Sequence, residues 1–286
     1  MSLTGAGRVA GVIGWPIAHS LSPLLHGYWL REYGVDGALV PLAVRRQDFA
    51  RVVIGLRLAG FAGVNVTVPH KEAAFALADA CDAAAKAAGA ANLLIFHADG
   101  QVEGRNTDAT GLRENLRQEL GETLKGSTAI LLGAGGAARG AVLALADQDV
   151  KRVHILNRHG DRALALVAAL QAMVACQLIP GALADWATTA PEAALLVNAT
   201  SAGMNGKNDL ELPLTLLPRE AVVCDLVYNP LETGLLRDAK ALDNRTIDGL
   251  GMLMHQAAPS FEAFFQVRPQ VTSGLRAALQ QALKHA

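Results

Sequence analysis

"STAILLGAGGAARGAVLALADQ", residues 127–148, is the stretch whose reading decides the fold. Its opening, Thr128 to Leu132, is a short apolar run of the kind that fills a strand buried on both faces. Gly133, Gly135 and Ala138 then form a G-x-G-x-x-A arrangement, and the chain from Gly136 onward has the composition of a helix. "RVHILNR", 152–158, supplies the next strand. Strand, glycine turn, helix and strand make one βαβ unit, the context in which this spacing binds a dinucleotide. Gly133 permits the tight turn, Gly135 lets a pyrophosphate approach the backbone, and Ala138 lets the helix pack on the sheet. The helix N-terminus then faces the phosphates. Gly133, Ala134, Gly135, Gly136 and Ala137 are therefore candidate cofactor residues. Glycines also serve ordinary turns, so the following strand has to be read with them.

That strand ends in "LNRHGDR", 156–162. A site for NAD usually ends it with a carboxylate that takes the ribose 2′-hydroxyl. Here Asn157 and Arg158 occupy the tip and Arg162 follows. A guanidinium there holds a 2′-phosphate through charge-assisted bonds. A solvated arginine at a strand end would read the same taken alone. Together with the glycine turn, it points to NADP.

Outward from this unit, strand-like and helix-like runs alternate along the chain, as in parallel sheets covered by helices. Upstream lie "RVAGVIG" (8–14), "SPLLHGYWLREYG" (22–34), "ALVPLAV" (38–44) and "RQDFARVVIGLRLA" (46–59). "ANLLIFHADGQVEGRN", 91–106, reads as a hairpin turned at Asp99 and Gly100. Downstream, "ALLVNAT" (194–200) and "AVVCDLV" (221–227) extend the second sheet. The expected organisation is two domains, divided near residue 110 inside the helix "ATGLRENLRQEL". Two amphipathic helices end the chain, and periodicity does not say which domain they cover.

The 286 residues suit about two domains. A net charge of −1 gives no field to attract nucleic acid or an anionic membrane, so neither partner is expected. No apolar run reaches the length of a membrane span, and the N-terminus has no secretory pattern. Cys81, Cys176 and Cys224 are odd in number and far apart, which suits reduced thiols in a cytoplasm. No HExxH-like or CxxC spacing occurs, so no metal site is expected.

"GVNVTVPHKEAAF", 63–75, raises a separate question. Val64, Val66 and Val68 alternate with Asn65 and Thr67 as in a half-buried strand that Pro69 ends. A helix is expected over 71–80, which places Lys71 in its first turn. That is the wrong end for a cation, because unpaired N–H groups make it partly positive. A lysine whose charged form is disfavoured suits proton exchange near neutral pH. Ser20 and Ser22 stand at a loop-to-helix junction beside Pro23, where they are either helix caps or, with helix N–H groups, holders of a carboxylate. Asp108 opens the crossing helix, where a cap is the plain alternative, and Gln256 lies in an apolar helix face, where an amide needs a partner.

With these residues in view, the chain resembles the shikimate/quinate dehydrogenase family. The likeness runs through "PIAHSLSP", "NVTVPHKEAA", "GRNTDATG", "GAGGAAR", "NATSAGM", "VYNPLET" and "DGLGMLMHQA", in order over nearly the whole length. The resemblance implies an α/β protein with a parallel-sheet N-terminal substrate domain (1–109 plus 251–286), a Rossmann-type NADP-binding domain (110–250) and a cleft between them that closes on ligand. It implies that Ser20, Ser22, Asn65, Thr67, Asn92, Asp108, Tyr228 and Gln256 line the substrate site and that Lys71 and Asp108 are the catalytic pair. It places Thr200, Ser201, Gly249 and Met252 near the cofactor, and returns the C-terminal helices to the first domain. The implied activity is reversible reduction of 3-dehydroshikimate to shikimate with NADPH, by a cytoplasmic monomer or homodimer. Three positions depart from the family pattern: Leu93 where threonine is usual, Ala109 for glycine and Gly234 for proline. They leave open a paralogue preferring quinate or NAD. A non-catalytic NADP-binding regulator is the remaining alternative, since a fold does not determine a function.

Overall fold

The computed structural model describes residues 3–205 and 207–284. The chain forms two compact units, Met1–Thr107 with Met254–Ala286, and Asp108–Leu253. The first division falls at the head of the helix in which a boundary was expected. The second falls inside the long helix near the C-terminus.

The first unit opens with β1 (Arg8–Gly14), α1 (Ser22–Glu32), β2 (Gly37–Ala43), α2 (Phe49–Leu58), β3 (Gly63–Val66) and α3 (Lys71–Leu77). It continues with β4 (Ala80–Cys81), α4 (Ala83–Ala88), β5 (Leu93–Phe96) and β6 (Val102–Arg105). The sheet order is β2-β1-β3-β5-β6-β4. It is parallel except around β5, which pairs antiparallel with β3 and β6 through the expected hairpin. The turn uses Gly100 at φ +89°, a conformation open to glycine at no steric cost. Ile13, Phe49, Val53, Val64, Val66 and Leu94 form the core between sheet and helices.

Two local expectations changed. β3 ends at Val66, so Thr67 and Val68 lie beyond the ladder. α3 stops at Leu77 instead of reaching residue 80, although "ALADA" is good helix sequence. Asp79 is drawn to the sheet edge: its N–H donates to the Val102 carbonyl at 2.9 Å, and its carboxylate accepts the Val102 N–H at 2.8 Å. Ala80 and Cys81 then pair with β6. A sheet edge that satisfies backbone groups outweighs a propensity worth tenths of a kcal/mol per residue.

The second unit contains α5 (Asp108–Leu120), β7 (Thr128–Leu132), α6 (Gly136–Ala146), β8 (Arg152–Asn157), α7 (Gly160–Leu170), β9 (Gln177–Ala182), α8 (Trp186–Thr189), β10 (Leu195–Asn198), β11 (Val222–Asp225), α9 (Gly234–Ala241) and β12 (Arg245–Ile247). Its sheet is wholly parallel, in the order β12-β11-β10-β7-β8-β9. The chain reverses its direction of winding between β7 and β10, the crevice where open α/β sheets bind ligands. Two apolar layers cover the sheet, one around Leu112, Leu131, Val142 and Ile155, the other around Ile130, Trp186, Leu196 and Leu236.

α10 (Leu250–Phe265) and α11 (Ser273–Leu283) end the chain, and from Met254 they belong to the first unit. The Trp29 Nε1–H donates to the Gln270 carbonyl at 3.0 Å, and the Gln270 N–H to the Tyr33 hydroxyl at 2.9 Å. Among the described residues no helix is long and apolar enough to cross a membrane, and no cluster of three or more metal-ligating side chains occurs.

Candidate functional site

In the first unit, strand register gathers the expected substrate residues at one end of the sheet. Ile13 pairs with Val66, Asn65 with Leu93, and Leu93 with Arg105. The carboxyl ends of β1, β3 and β6 and the amino end of β5 therefore lie together. Ser20 and Ser22 follow β1, Thr67 and Lys71 follow β3, Asn92 precedes β5, and Thr107 follows β6. Ser22 is the first residue of α1 rather than its cap, and its N–H donates to Ser20 Oγ at 3.3 Å.

Lys71 is the first residue of α3, as expected. His70 holds that helix start. Its N–H donates to the Thr67 carbonyl at 3.0 Å, its ring stacks on Phe49 at 4.9 Å, and its Nε2 lies 2.7 Å from the Val44 carbonyl. A carbonyl can only accept, so Nε2 carries the proton and the imidazole is a fixed strut. His70 is buried and was not among the expected site residues.

Two further residues emerge only in three dimensions. Asn65 Nδ2 donates to Ser260 Oγ at 2.7 Å, while Asn65 Oδ1 is buried without a partner among the described residues. A buried unpaired carbonyl is costly, and a ligand hydroxyl would satisfy it. Thr107 links Asn92 to Gln256: its N–H donates to Asn92 Oδ1 at 2.9 Å, its hydroxyl accepts from Asn92 Nδ2 at 3.0 Å, and it donates to the Gln256 carbonyl at 2.9 Å. Asn92 and Gln256 were expected at the substrate; Thr107 braces both. It sits inside the motif "GRNTDATG", the one sequence signal that could have found it.

In the second unit, parallel pairing brings the strand ends of β7, β8, β10 and β11 into one row, through Leu132, Leu156, Asn198 and Asp225. Beyond that row lie Gly133, Asn157, Thr200 and Tyr228. Gly133 has φ +107°, and a Cβ there would come within 3.1 Å of the Ala199 carbonyl. Gly135, the residue before α6, has nothing within 4 Å of where its Cβ would stand, and neither has Gly136. A pocket of ≈ 840 Å³ is lined by Gly133, Asn157, Arg158, Arg162, Thr200 and Ser201, among others. His159 and Lys207 add cationic or ionisable groups that the sequence reading missed; Asp209 and Glu211 also line it. The open space over the glycines, the helix start and the arginines fit a dinucleotide with a terminal phosphate. Gly249 and Met252 do not line this pocket. Gly249 is pressed against the Leu226 and Val227 carbonyls, and Met252 packs on the unit's core.

Asp108 is the buried first residue of α5, an end of the helix that favours a carboxylate. Its Cβ lies 3.2 Å from where a Cβ on Gly140 would stand, so α5 and α6 approach closely there. Tyr228 is half-buried, and burial pushes its phenol above the usual range.

Two family models and several known proteins match this chain. A family model described as the shikimate dehydrogenase substrate binding domain matches residues 12–94, and one described as shikimate/quinate 5-dehydrogenase matches residues 115–207. Shikimate dehydrogenase (NADP(+)) of Paramagnetospirillum magneticum is 50% identical over 96% of this chain and 99% of its own length. That of Rhodospirillum rubrum is 49% identical over 97% of this chain and 98% of its own. The structure of shikimate 5-dehydrogenase from Thermus thermophilus in complex with NADP(H) and shikimate superposes with a TM-score of 0.83 at 36% identity, covering 97% of this chain and 99% of that one. With half of all positions identical over nearly its whole length, the chain belongs to the shikimate dehydrogenase family.

Proposed function

We propose that this chain interconverts 3-dehydroshikimate and shikimate with NADP(H), the first unit binding the substrate and the second the cofactor. The observation that carries the reading is Lys71 at the head of α3, fixed by His70, at the same sheet end as Ser20, Ser22, Asn65, Thr67 and Asn92. When bound, NADPH supplies the hydride that reduces the ring ketone. Lys71 gives a proton to the oxygen on which negative charge develops, and removes it in the reverse direction. The family likeness adds Asp108 and Tyr228, of the second unit, to the residues that act on the substrate. Ser20 and Ser22 hold the carboxylate. Asn65 Oδ1, unpaired among the described residues, accepts from a ring hydroxyl, and Thr67, Asn92 and Gln256 fix the others.

In the second unit, Gly133 to Ala137 receive the pyrophosphate, Arg158 and Arg162 the 2′-phosphate, and Thr200 and Ser201 the remainder of the cofactor. The reading carries with it a cytoplasmic protein, monomeric or homodimeric, which light scattering and cell fractionation test. One assay decides the activity: shikimate and quinate, each with NADP and NAD, followed by absorbance of the reduced nicotinamide. Turnover confined to shikimate with NADP is the expected result. Faster turnover of quinate with NAD would transfer the chain to the paralogous activity, for which Leu93, wholly buried beside Asn65 in the ladder, is the structural motive. No turnover with any pair would sink the enzymatic reading.

A further inference from the structure

Asp225 is the last residue of β11, and its side chain is completely buried. A carboxylate in that position is unfavourable unless its oxygens are satisfied. Three donors converge on it. Asn198 Nδ2 reaches Oδ1 at 2.9 Å, the Val227 N–H reaches the same oxygen at 3.0 Å, and Thr233 Oγ1 reaches Oδ2 at 2.7 Å. All three are neutral, and burial holds the carboxyl at about 6, above the usual carboxylate range, with Asp209 adding like-charge repulsion.

The bond to Asn198 has a consequence one step further out. With Nδ2 turned to the carboxylate, Oδ1 of Asn198 faces the next residues, where it accepts from the Thr200 N–H at 3.0 Å and from Thr200 Oγ1 at 2.7 Å. Thr200 Oγ1 in turn accepts from the Ala202 N–H at 3.1 Å. Thr200, Ser201 and Ala202 line the pocket assigned above to the cofactor; Asn198 and Asp225 do not. The amide of Asn198 can point either way in isolation. Asp225 selects the orientation that shapes this segment.

We propose that Asp225 is a positioning residue for the cofactor: through Asn198 it holds Thr200–Ala202 in the conformation that binds NADP(H), while itself touching no ligand. The proposal rests on the reading of the second unit as the NADP unit. Thr233 provides an internal control, because it bonds the other oxygen, away from Asn198, and also caps α9 through the Leu236 N–H at 3.3 Å.

The test uses the full chain, with NADP affinity measured by titration, steady-state constants, and melting temperature. Asp225→Ala should raise the NADP dissociation constant on the order of ten-fold, and raise KM for NADP, with kcat at saturating cofactor nearly kept. Asp225→Asn should retain wild-type affinity, since an amide oxygen in the place of Oδ1 still accepts from Asn198 and Val227 and its NH₂ meets Thr233. Thr233→Val should lower the melting temperature and leave NADP affinity unchanged. Asn198→Ala should weaken NADP as Asp225→Ala does, and the double variant should be no weaker than Asn198→Ala alone, the non-additivity expected of one chain of contacts. If Asp225→Ala does not fold, Asn198→Ala against Thr233→Val decides. Loss of melting temperature in Asp225→Ala or Asn198→Ala with unchanged NADP affinity overturns the proposal, and so do additive effects or equal weakening by Thr233→Val. Failure of the wild-type chain to bind NADP is a separate outcome that removes the cofactor reading and this proposal together.

Discussion

Three side chains let single-residue physics be tested directly. Lys71→Ala should lower kcat by about 10²–10⁴-fold, the usual cost of losing a positioned acid/base group, with a much smaller effect on shikimate binding. Near wild-type turnover in a folded variant would remove Lys71 from the proton transfer. Arg158 lies exposed in the pocket of the second unit. Only NADP carries the 2′-phosphate, so Arg158→Ala should weaken NADP roughly ten- to hundred-fold, from about 1.5–3 kcal/mol for a charge-assisted contact, and spare NAD. Equal weakening of both cofactors would show that the phosphate binds elsewhere. His26 concerns stability. It is wholly buried among Trp29, Phe261, Phe264 and Phe265, both ring nitrogens lack partners among the described residues, and burial lowers its pKa from 6.5 to about 3. Between those values the unfolded chain binds a proton that the folded chain does not, so stability is fully present above pH 6.5 and falls as the solution is acidified. His26→Phe removes that dependence. Relative to wild type, the variant should gain about 2 kcal/mol between pH 6.5 and pH 5, at about 1.4 kcal/mol per pH unit. Urea titrations at the two pH values check this, and parallel losses in both proteins would refute it.

At the scale of elements, the turn from β7 into α6 separates backbone need from ligand need. Gly133 has φ +107° and faces the Ala199 carbonyl and Thr200 Cγ2, each at 3.1 Å from a virtual Cβ. Gly133→Ala should therefore cost roughly 1–3 kcal/mol of stability, seen as a lower urea midpoint, besides weakening NADP. Gly135 has φ −99° and open space around its virtual Cβ. Gly135→Ala should change stability by less than about 0.5 kcal/mol yet weaken NADP, because the new methyl stands where the pyrophosphate would approach. Two variants with the same profile would mean that the glycines share one role. α3 teaches the converse lesson. Its sequence favours continuing to residue 80, and the edge of β6 ends it three residues early.

For the whole molecule, the division into two units predicts where each ligand acts. A ligand that binds only the folded form stabilises it by about 2.7 kcal/mol at a hundred times its dissociation constant. Hydrogen exchange with saturating NADP should slow the amides of β7, β8 and β10 most, and shikimate those of β3, β5 and β6. The reverse pattern would exchange the roles of the two units. Uniform slowing of both units by either ligand would deny each unit a ligand of its own.

The alternation of strands and helices, the βαβ unit at 127–158, the hairpin at 91–106 and the glycine turn were legible in the sequence, because each rests on neighbours within a few residues. β9 and β12 were not read, nor was the two-residue β4. They are edge strands, and an edge is defined by the strand beside it rather than by its own periodicity. The candidate site divides in the same way. Lys71 at a helix head and Arg158 at a strand tip are local facts. The Asn65 oxygen left without a partner among the described residues depends on Ser260, 195 residues away, and the brace on Gln256 depends on Thr107, 149 residues away. His70 and Asp225 reveal their roles only through Val44 and Asn198. Residue type and spacing determine which groups a segment can offer. Which of them are already satisfied, and which are left for a ligand, is decided by hydrogen bonds that close only when distant segments pack.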